Sequence, residues 1–225
     1  MTALVVFDLD GTLIDSRRDL SDSANLLVIE RGGQPLAADA ITRMVGDGAA
    51  MLVKRALAAA NLPFAESDVT RFLKIYDERL LQHTQPYSGM AEALNEIATF
   101  ATIAVLTNKP GGPAKTILSG LGLSAHVAVT IGGDGTHPRK PDPGSLQHLM
   151  SRYAVSPAAT VMVGDTRIDF ETARNAGTHV CMTRYGFGYE QFDASRLTAA
   201  DAVVDQPSDI PAAVRRLLQL PIASH

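Results

Sequence analysis

Asp8 and Asp10 close the first apolar run of the chain, in Leu4-Val5-Val6-Phe7-Asp8-Leu9-Asp10-Gly11-Thr12. Side chains alternate with a period of two along an extended segment, so carboxylates one residue apart point to the same side and converge. Like charges held that close require either one proton between them or a bound hard metal ion, and the pair alone leaves both open. Gly11 gives the backbone freedom to turn away directly after the pair, and Thr12 adds a hydroxyl.

Further chemistry-bearing residues follow later apolar runs. In open α/β sheets ligands bind beyond the carboxyl ends of the strands, which makes these the positions to inspect. Thr102–Leu106 leads into Thr107-Asn108-Lys109-Pro110, where a threonine hydroxyl and the next backbone N–H can grip a phosphate oxygen without adding net charge. The next run leads through Gly132-Gly133-Asp134-Gly135 to Arg139-Lys140-Pro141-Asp142-Pro143, where Lys140 can reach as a point charge over a phosphate and a carboxylate. Val163-Gly164-Asp165-Thr166-Arg167-Ile168-Asp169 places carboxylates four residues apart, on one face of a first helical turn. Asp169 also has a plain reading as a helix N-terminal acid favoured by the macrodipole.

These residues need a sheet to bring them together. Runs rich in Val, Ile and Leu recur at residues 4–7, 102–106, 127–131, 160–163, 178–182 and 202–204. Between most of them lie segments with apolar spacing close to 3.6, at 90–100, 113–121, 143–153, 168–176 and 210–218. The alternation predicts an α/β fold with a Rossmann-like, mostly parallel sheet buried on both faces. Between the first two runs no strand pattern appears. Instead the spacing predicts helices near 19–31, 37–45, 48–60 and 66–82, broken by Gly32-Gly33, Gly46-Asp47-Gly48 and Asn61-Leu62-Pro63. So much helix exceeds a single crossover and predicts an inserted all-helical subdomain at residues 16–85, with the α/β core at 1–15 and 86–225. At its edges, Arg17 and Arg18 meet either solvent or an anionic substrate, and Gly46-Asp47-Gly48 is either a plain turn or a helix start whose N–H groups face the substrate.

A formal net charge of -4 provides no global attraction for nucleic acid or an anionic membrane. No run approaches the roughly 18 apolar residues of a membrane span. The first apolar run lacks a basic leader and ends in acids, unlike a secretory signal, so a cytoplasmic enzyme or binding protein is expected. The single cysteine, Cys181, rules out an intramolecular disulfide and reads as a small buried strand residue. The six histidines, at 83, 126, 137, 148, 179 and 225, show no zinc-ligand spacing. Neither G-x-G-x-x-G nor G-x-x-x-x-G-K-[ST] is present, which argues against dinucleotide and P-loop nucleotide sites. No signal for or against self-association is evident.

Taken in order, Asp8 and Asp10, Thr107, Lys140, and Asp165 with Asp169 resemble the four motifs of the haloacid dehalogenase (HAD) superfamily, over nearly the whole chain. Within it the chain looks most like the phosphoglycolate phosphatases, which have a helical cap inserted after the first motif. Asp8-Leu9-Asp10-Gly11-Thr12-Leu13-Ile14-Asp15-Ser16, Leu106-Thr107-Asn108-Lys109-Pro110, Arg139-Lys140-Pro141-Asp142-Pro143 and Gly164-Asp165-Thr166 carry the likeness. The resemblance implies a Mg2+-dependent phosphatase acting on a small phosphate ester, 2-phosphoglycolate foremost, with the cap closing over the site. It implies Asp8 as the nucleophile that becomes an aspartyl phosphate and Asp10 as the proton donor and acceptor. Mg2+ is then held by the Asp8 carboxylate, the Asp10 backbone carbonyl and Asp165, with Asp169 in or just behind that shell. Thr107, the Asn108 N–H and Lys140 hold the remaining phosphoryl oxygens.

Four other readings compete. A phosphomutase of the β-phosphoglucomutase type shares the two aspartates, and a phosphatase for another small sugar or hydroxy-acid phosphate shares most of the motifs. A phospho-accepting receiver domain uses a similar aspartate, threonine and lysine but is about half this length and lacks both the insertion and D-x-D-G-T. A binding protein on a decayed enzyme fold conflicts with the presence of every chemical position.

Overall fold

The first strand, β1 (Ala3–Phe7), is buried along its whole length, and its alternate residues feed opposite faces of one sheet. Val5 and Phe7 pack in one apolar core, while Leu4 and Val6 pack in another. That two-sided burial is why the run is continuously apolar rather than alternating. The computed structural model describes residues 3–221, so His225 and the outermost residues of the expected core segments lie outside the described residues.

After β1 come β2 (Ile14–Asp15), α1 (Arg17–Glu30), α2 (Ala38–Thr42), α3 (Ala49–Ala59), α4 (Glu66–Asp77) and β3 (Gln85–Pro86). Then helices and strands alternate: α5 (Met90–Ala98), β4 (Ala101–Leu106), α6 (Gly111–Gly120), β5 (Val129–Ile131), α7 (Gly144–Arg152), β6 (Thr160–Gly164), α8 (Arg167–Ala176), β7 (His179–Thr183), β8 (Ala202–Val204) and α9 (Ile210–Leu217). Six of the strands form a parallel sheet in the order β5-β4-β1-β6-β7-β8. One face is covered by residues of α5, α6 and α9 such as Leu94, Ile117 and Val214, and the other by residues of α7 and α8 such as Leu149 and Ala173. The fold is the α/β class that the apolar runs predict, and all six runs are strands.

The register explains why chemistry collects at one sheet end. Phe7 pairs with Val105 of β4 on one side and with Val163 of β6 on the other. The residues just beyond these positions, Asp8, Thr107 and Asp165, therefore emerge from three adjacent strands at the same edge.

All four helices expected between the first two strand runs are present, with different bounds. α2 is only one turn and a fraction, with Ile41 as its one buried side chain, so little packing sustains it. α4 stops at Asp77 rather than running to 82. Beyond it the chain turns back, and the N–H groups of His83 and Thr84 donate to the buried Asp19 carboxylate at 2.9 and 2.8 Å. The unexpected elements are β2 and β3, an antiparallel two-residue ribbon that pairs Ile14 with Pro86 and Asp15 with Gln85. Cys181 is fully buried in β7, as its apolar run predicts. No helix among the described residues is long and apolar enough to cross a membrane.

Candidate active site

Asp8 follows β1 directly, and its N–H donates to the Val163 carbonyl of β6 at 2.9 Å, continuing the ladder one residue past the strand. The Leu9 carbonyl then accepts from the N–H groups of Thr12, Leu13 and Ile14, a tight turn made possible by Gly11 at φ +84°. A Cβ on Gly11 would overlap the Asp165 carboxylate, so only glycine allows the turn to pack on that acid.

Lys140 is 4% exposed, and its Nζ lies 2.9 Å from Asp8 Oδ1 and 2.6 Å from Asp169 Oδ1. Asp169 accepts through its other oxygen from the Thr166 N–H at 3.0 Å and the Thr166 hydroxyl at 2.6 Å, closing a capping box on α8. Asp169 therefore caps the helix, as its plain reading has it, and also pairs with Lys140. Asp165 is fully buried, with Oδ1 accepting from the Thr12 hydroxyl at 3.1 Å and Oδ2 from the Gly188 N–H at 2.7 Å.

Asp8, Asp165 and Asp169 each offer a carboxylate oxygen, all within 4.8 Å of one another. Lys140 is the one cation paired to this group among the described residues. Burial, opposed by Lys140 and reinforced by Asp169, pushes Asp8 up to about 7. Burial, together with Asp169 and Asp8, raises Asp165 well above the ordinary carboxylate range. A water-excluded group of acids short of positive charge is what a hard divalent cation neutralises, so these residues fit Mg2+.

Asp10 lines the same cavity as Asp8, and its charge helps raise Asp8, but it stands outside the three-carboxylate cluster. β1 ends at Phe7, so strand alternation no longer governs residue 10, and its carboxylate leaves the acidic group. Asp10 Oδ1 accepts from the Ser16 hydroxyl at 2.5 Å, and Oδ2 lies 2.9 Å from Lys109 Nζ. The side chain of Asp10 is thus not among the clustered metal-ligand candidates. The two aspartates have separate lysine partners instead of one shared proton.

Thr107 is 3% exposed, and its Oγ1 accepts from the Lys109 N–H at 3.2 Å. The Asn108 side chain donates to the Gly46 carbonyl and to the Lys140 carbonyl, each at 3.0 Å, tying the loop before α3 to the loop that carries Lys140. Lys109 is a residue that type and spacing do not single out, although it stands in the strand-end segment with Thr107. It is 7% exposed, donates to Tyr76 Oη at 2.8 Å, and lies 4.5 Å from the Tyr76 ring centroid.

A cavity of about 50 Å3 lies above these groups. Asp8, Asp10, Thr107, Asn108 and Lys109 form its polar floor, and Leu20, Val45, Leu52, Phe72 and Leu73 from the helical segment form an apolar roof. Gly46, Gly48 and Ala49 at the start of α3 also line it, in keeping with a substrate-facing helix start. Arg17 and Arg18 do not. Arg17 pairs with Asp15 at 2.6 Å and Arg18 lies 3.9 Å from Asp22, on an open groove elsewhere.

The family model of haloacid dehalogenase-like hydrolases matches residues 5–183. A phosphoglycolate phosphatase from Rhodospirillum rubrum is 39% identical over 199 residues, covering 84% of this chain and 83% of its own. A phosphoglycolate phosphatase from Caulobacter vibrioides is 32% identical over 221 residues, covering 96% and 92%. The crystal structure of a predicted phosphoglycolate phosphatase from Haemophilus somnus superposes with a TM-score of 0.82 at 27% identity, covering 93% of this chain and 96% of that one.

Proposed function

The chain belongs to the haloacid dehalogenase-like hydrolase family, and on that premise we propose that it is a Mg2+-dependent phosphatase of 2-phosphoglycolate working through an aspartyl phosphate on Asp8. The observation that carries this reading is the buried Asp8 carboxylate, held 2.9 Å from Lys140 Nζ at the floor of a cavity roofed by the helical segment. The names of the relatives support the substrate.

In the first displacement an Asp8 oxygen attacks phosphorus, the P–O ester bond breaks, and Asp10 gives its proton to the leaving alkoxide. In the second, water passes a proton to Asp10 and attacks phosphorus, the bond to Asp8 breaks, and inorganic phosphate leaves. Thr107 Oγ1, the Asn108 N–H and Lys140 Nζ hold the phosphoryl oxygens through both displacements. Ser16 and Lys109 hold the Asp10 carboxylate apart from Asp8, on the side where the leaving group departs. Asp8, Asp165 and Asp169, with the Asp10 backbone carbonyl, would hold Mg2+, which would supply the positive charge that keeps Asp8 ionised and offsets the phosphate.

Residues 1–15 and 86–225 serve in this reading as the catalytic core and residues 16–85 as the cap. The β2–β3 ribbon at the two chain crossings, and a cavity floored by one part and roofed by the other, support that division. Phosphate release across small phosphomonoesters with and without Mg2+ tests the activity. We expect 2-phosphoglycolate to lead, EDTA to stop turnover, and Asp8→Asn to lose both turnover and the acid-stable phosphoenzyme. Turnover unaffected by EDTA, or Asp8→Asn near wild type, would overturn the mechanism.

A further inference from the structure

Resting on the phosphatase reading and deepening it, we propose that Lys109 is the specificity residue of the cavity, receiving the carboxylate of the substrate's organic part. Among the residues lining the cavity, Lys109 carries the one cationic side chain; the roof is aliphatic and aromatic, and the acids on the floor repel an anion. An ammonium has three N–H donors. Two go to Asp10 Oδ2 at 2.9 Å and Tyr76 Oη at 2.8 Å, and the third has no acceptor among the described residues. A small anionic phosphoester bound with phosphorus at Asp8 and its leaving oxygen at Asp10 brings its far end to that third donor.

Tyr76 acts as the positioning residue. Its ring is 2% exposed, stacks on Phe72 at 5.9 Å and 7° between planes, and faces the ammonium at 4.5 Å from its centroid. The helix that holds the roof thereby also fixes the direction of Lys109, so the cation is aimed before substrate arrives. Arg139, the other nearby cation, does not line the cavity: its Nε donates to the Gly133 carbonyl at 2.6 Å, its guanidinium lies behind Gly48, and it is exposed.

The test compares two esters of the same two-carbon chain, 2-phosphoglycolate and 2-hydroxyethyl phosphate, the second bearing a hydroxymethyl group in place of the carboxylate. The readout is the ratio of their kcat/KM values, which does not depend on the fraction of active protein. Wild type should favour 2-phosphoglycolate, and Lys109→Met should lower that ratio by about 10- to 100-fold, chiefly through KM. Tyr76→Phe should lower it in the same direction by less. A lysine serving only as a structural partner of Asp10 predicts equal losses on both esters, and an unchanged ratio in Lys109→Met overturns the proposal. Should that variant be inactive on both esters, the ratio in Tyr76→Phe decides, a fall supporting Lys109 and no change rejecting it. A wild type that hydrolyses both esters equally rejects the role of Lys109 while leaving the phosphatase reading intact. A wild type that hydrolyses neither, but acts on a larger phosphoester, overturns the assigned substrate and the role of Lys109 with it.

Discussion

Lys140 Nζ stands 2.6 Å from Asp169 Oδ1, and the same carboxylate closes the capping box of α8 through its other oxygen. The start of a helix therefore aims the ammonium that faces Asp8. Asp169→Asn removes the charge that holds Lys140 and one member of the acidic group. We expect kcat/KM to fall about 10- to 100-fold and the Mg2+ concentration for half-maximal rate to rise. Wild-type values for both in steady-state assays would contradict this arrangement.

Stability should depend on Asp19, which is fully buried on α1. Its Oδ2 accepts from the His83 and Thr84 N–H groups and from the Thr84 hydroxyl, so one oxygen anchors the returning chain to α1. Asp19→Ala leaves three donors without that acceptor and should cost about 2–4 kcal/mol by urea denaturation. Asp19→Asn, which keeps a carbonyl oxygen, should cost less.

The acidic group predicts a pH dependence for the metal-free protein. Asp8 is raised from 3.8 to about 7 and Asp165 is raised as well, while Lys140 ammonium is the cation facing them. Between about pH 4 and pH 7 the folded state therefore holds protons that the unfolded chain has released, and this contribution to stability falls as pH rises. Millimolar Mg2+, which binds the ionised acids, should raise Tm by several degrees at pH 8 and by little at pH 5. Differential scanning calorimetry at the two pH values checks this, and an equal Mg2+ shift at both would count against the assignment.

Cys181 should be inert. Burial pushes its thiol up to about 12 and it is 0% exposed. A disulfide-exchange reagent at pH 8 should label it only after unfolding in urea; labelling of the native protein would show that β7 opens.

Much of the fold and the site is legible in residue types. Continuous Val, Ile and Leu runs mark strands because a sheet buried on both faces needs apolar side chains at every position. Asp8 and Thr107 stand out because each directly succeeds such a run, and Asp165 because it follows one after a single glycine. The direction of Asp10 does not, since strand alternation stops at Phe7 and the turn over Leu9 reorients the next residues. The β2–β3 ribbon is two residues per strand, too short to carry a period. Lys109 depends on Tyr76, 33 positions away in sequence, and no local pattern links them. His137 and His148, without metal-ligand spacing in the chain, stack at 4.0 Å for the same reason: the fold, not the spacing, makes them neighbours.

The ribbon of Ile14–Asp15 with Gln85–Pro86 has an evolutionary consequence. In the proposed division, the pairing of Ile14 with Pro86 and Asp15 with Gln85 makes residues 16–85 a graft with its two cut ends side by side. The closure that the sheet domain must satisfy is the same whatever the graft contains. A new roof can be exchanged or lengthened without shifting β1 against β4 and β6, so ligand preference can diversify while the acids beneath stay in register.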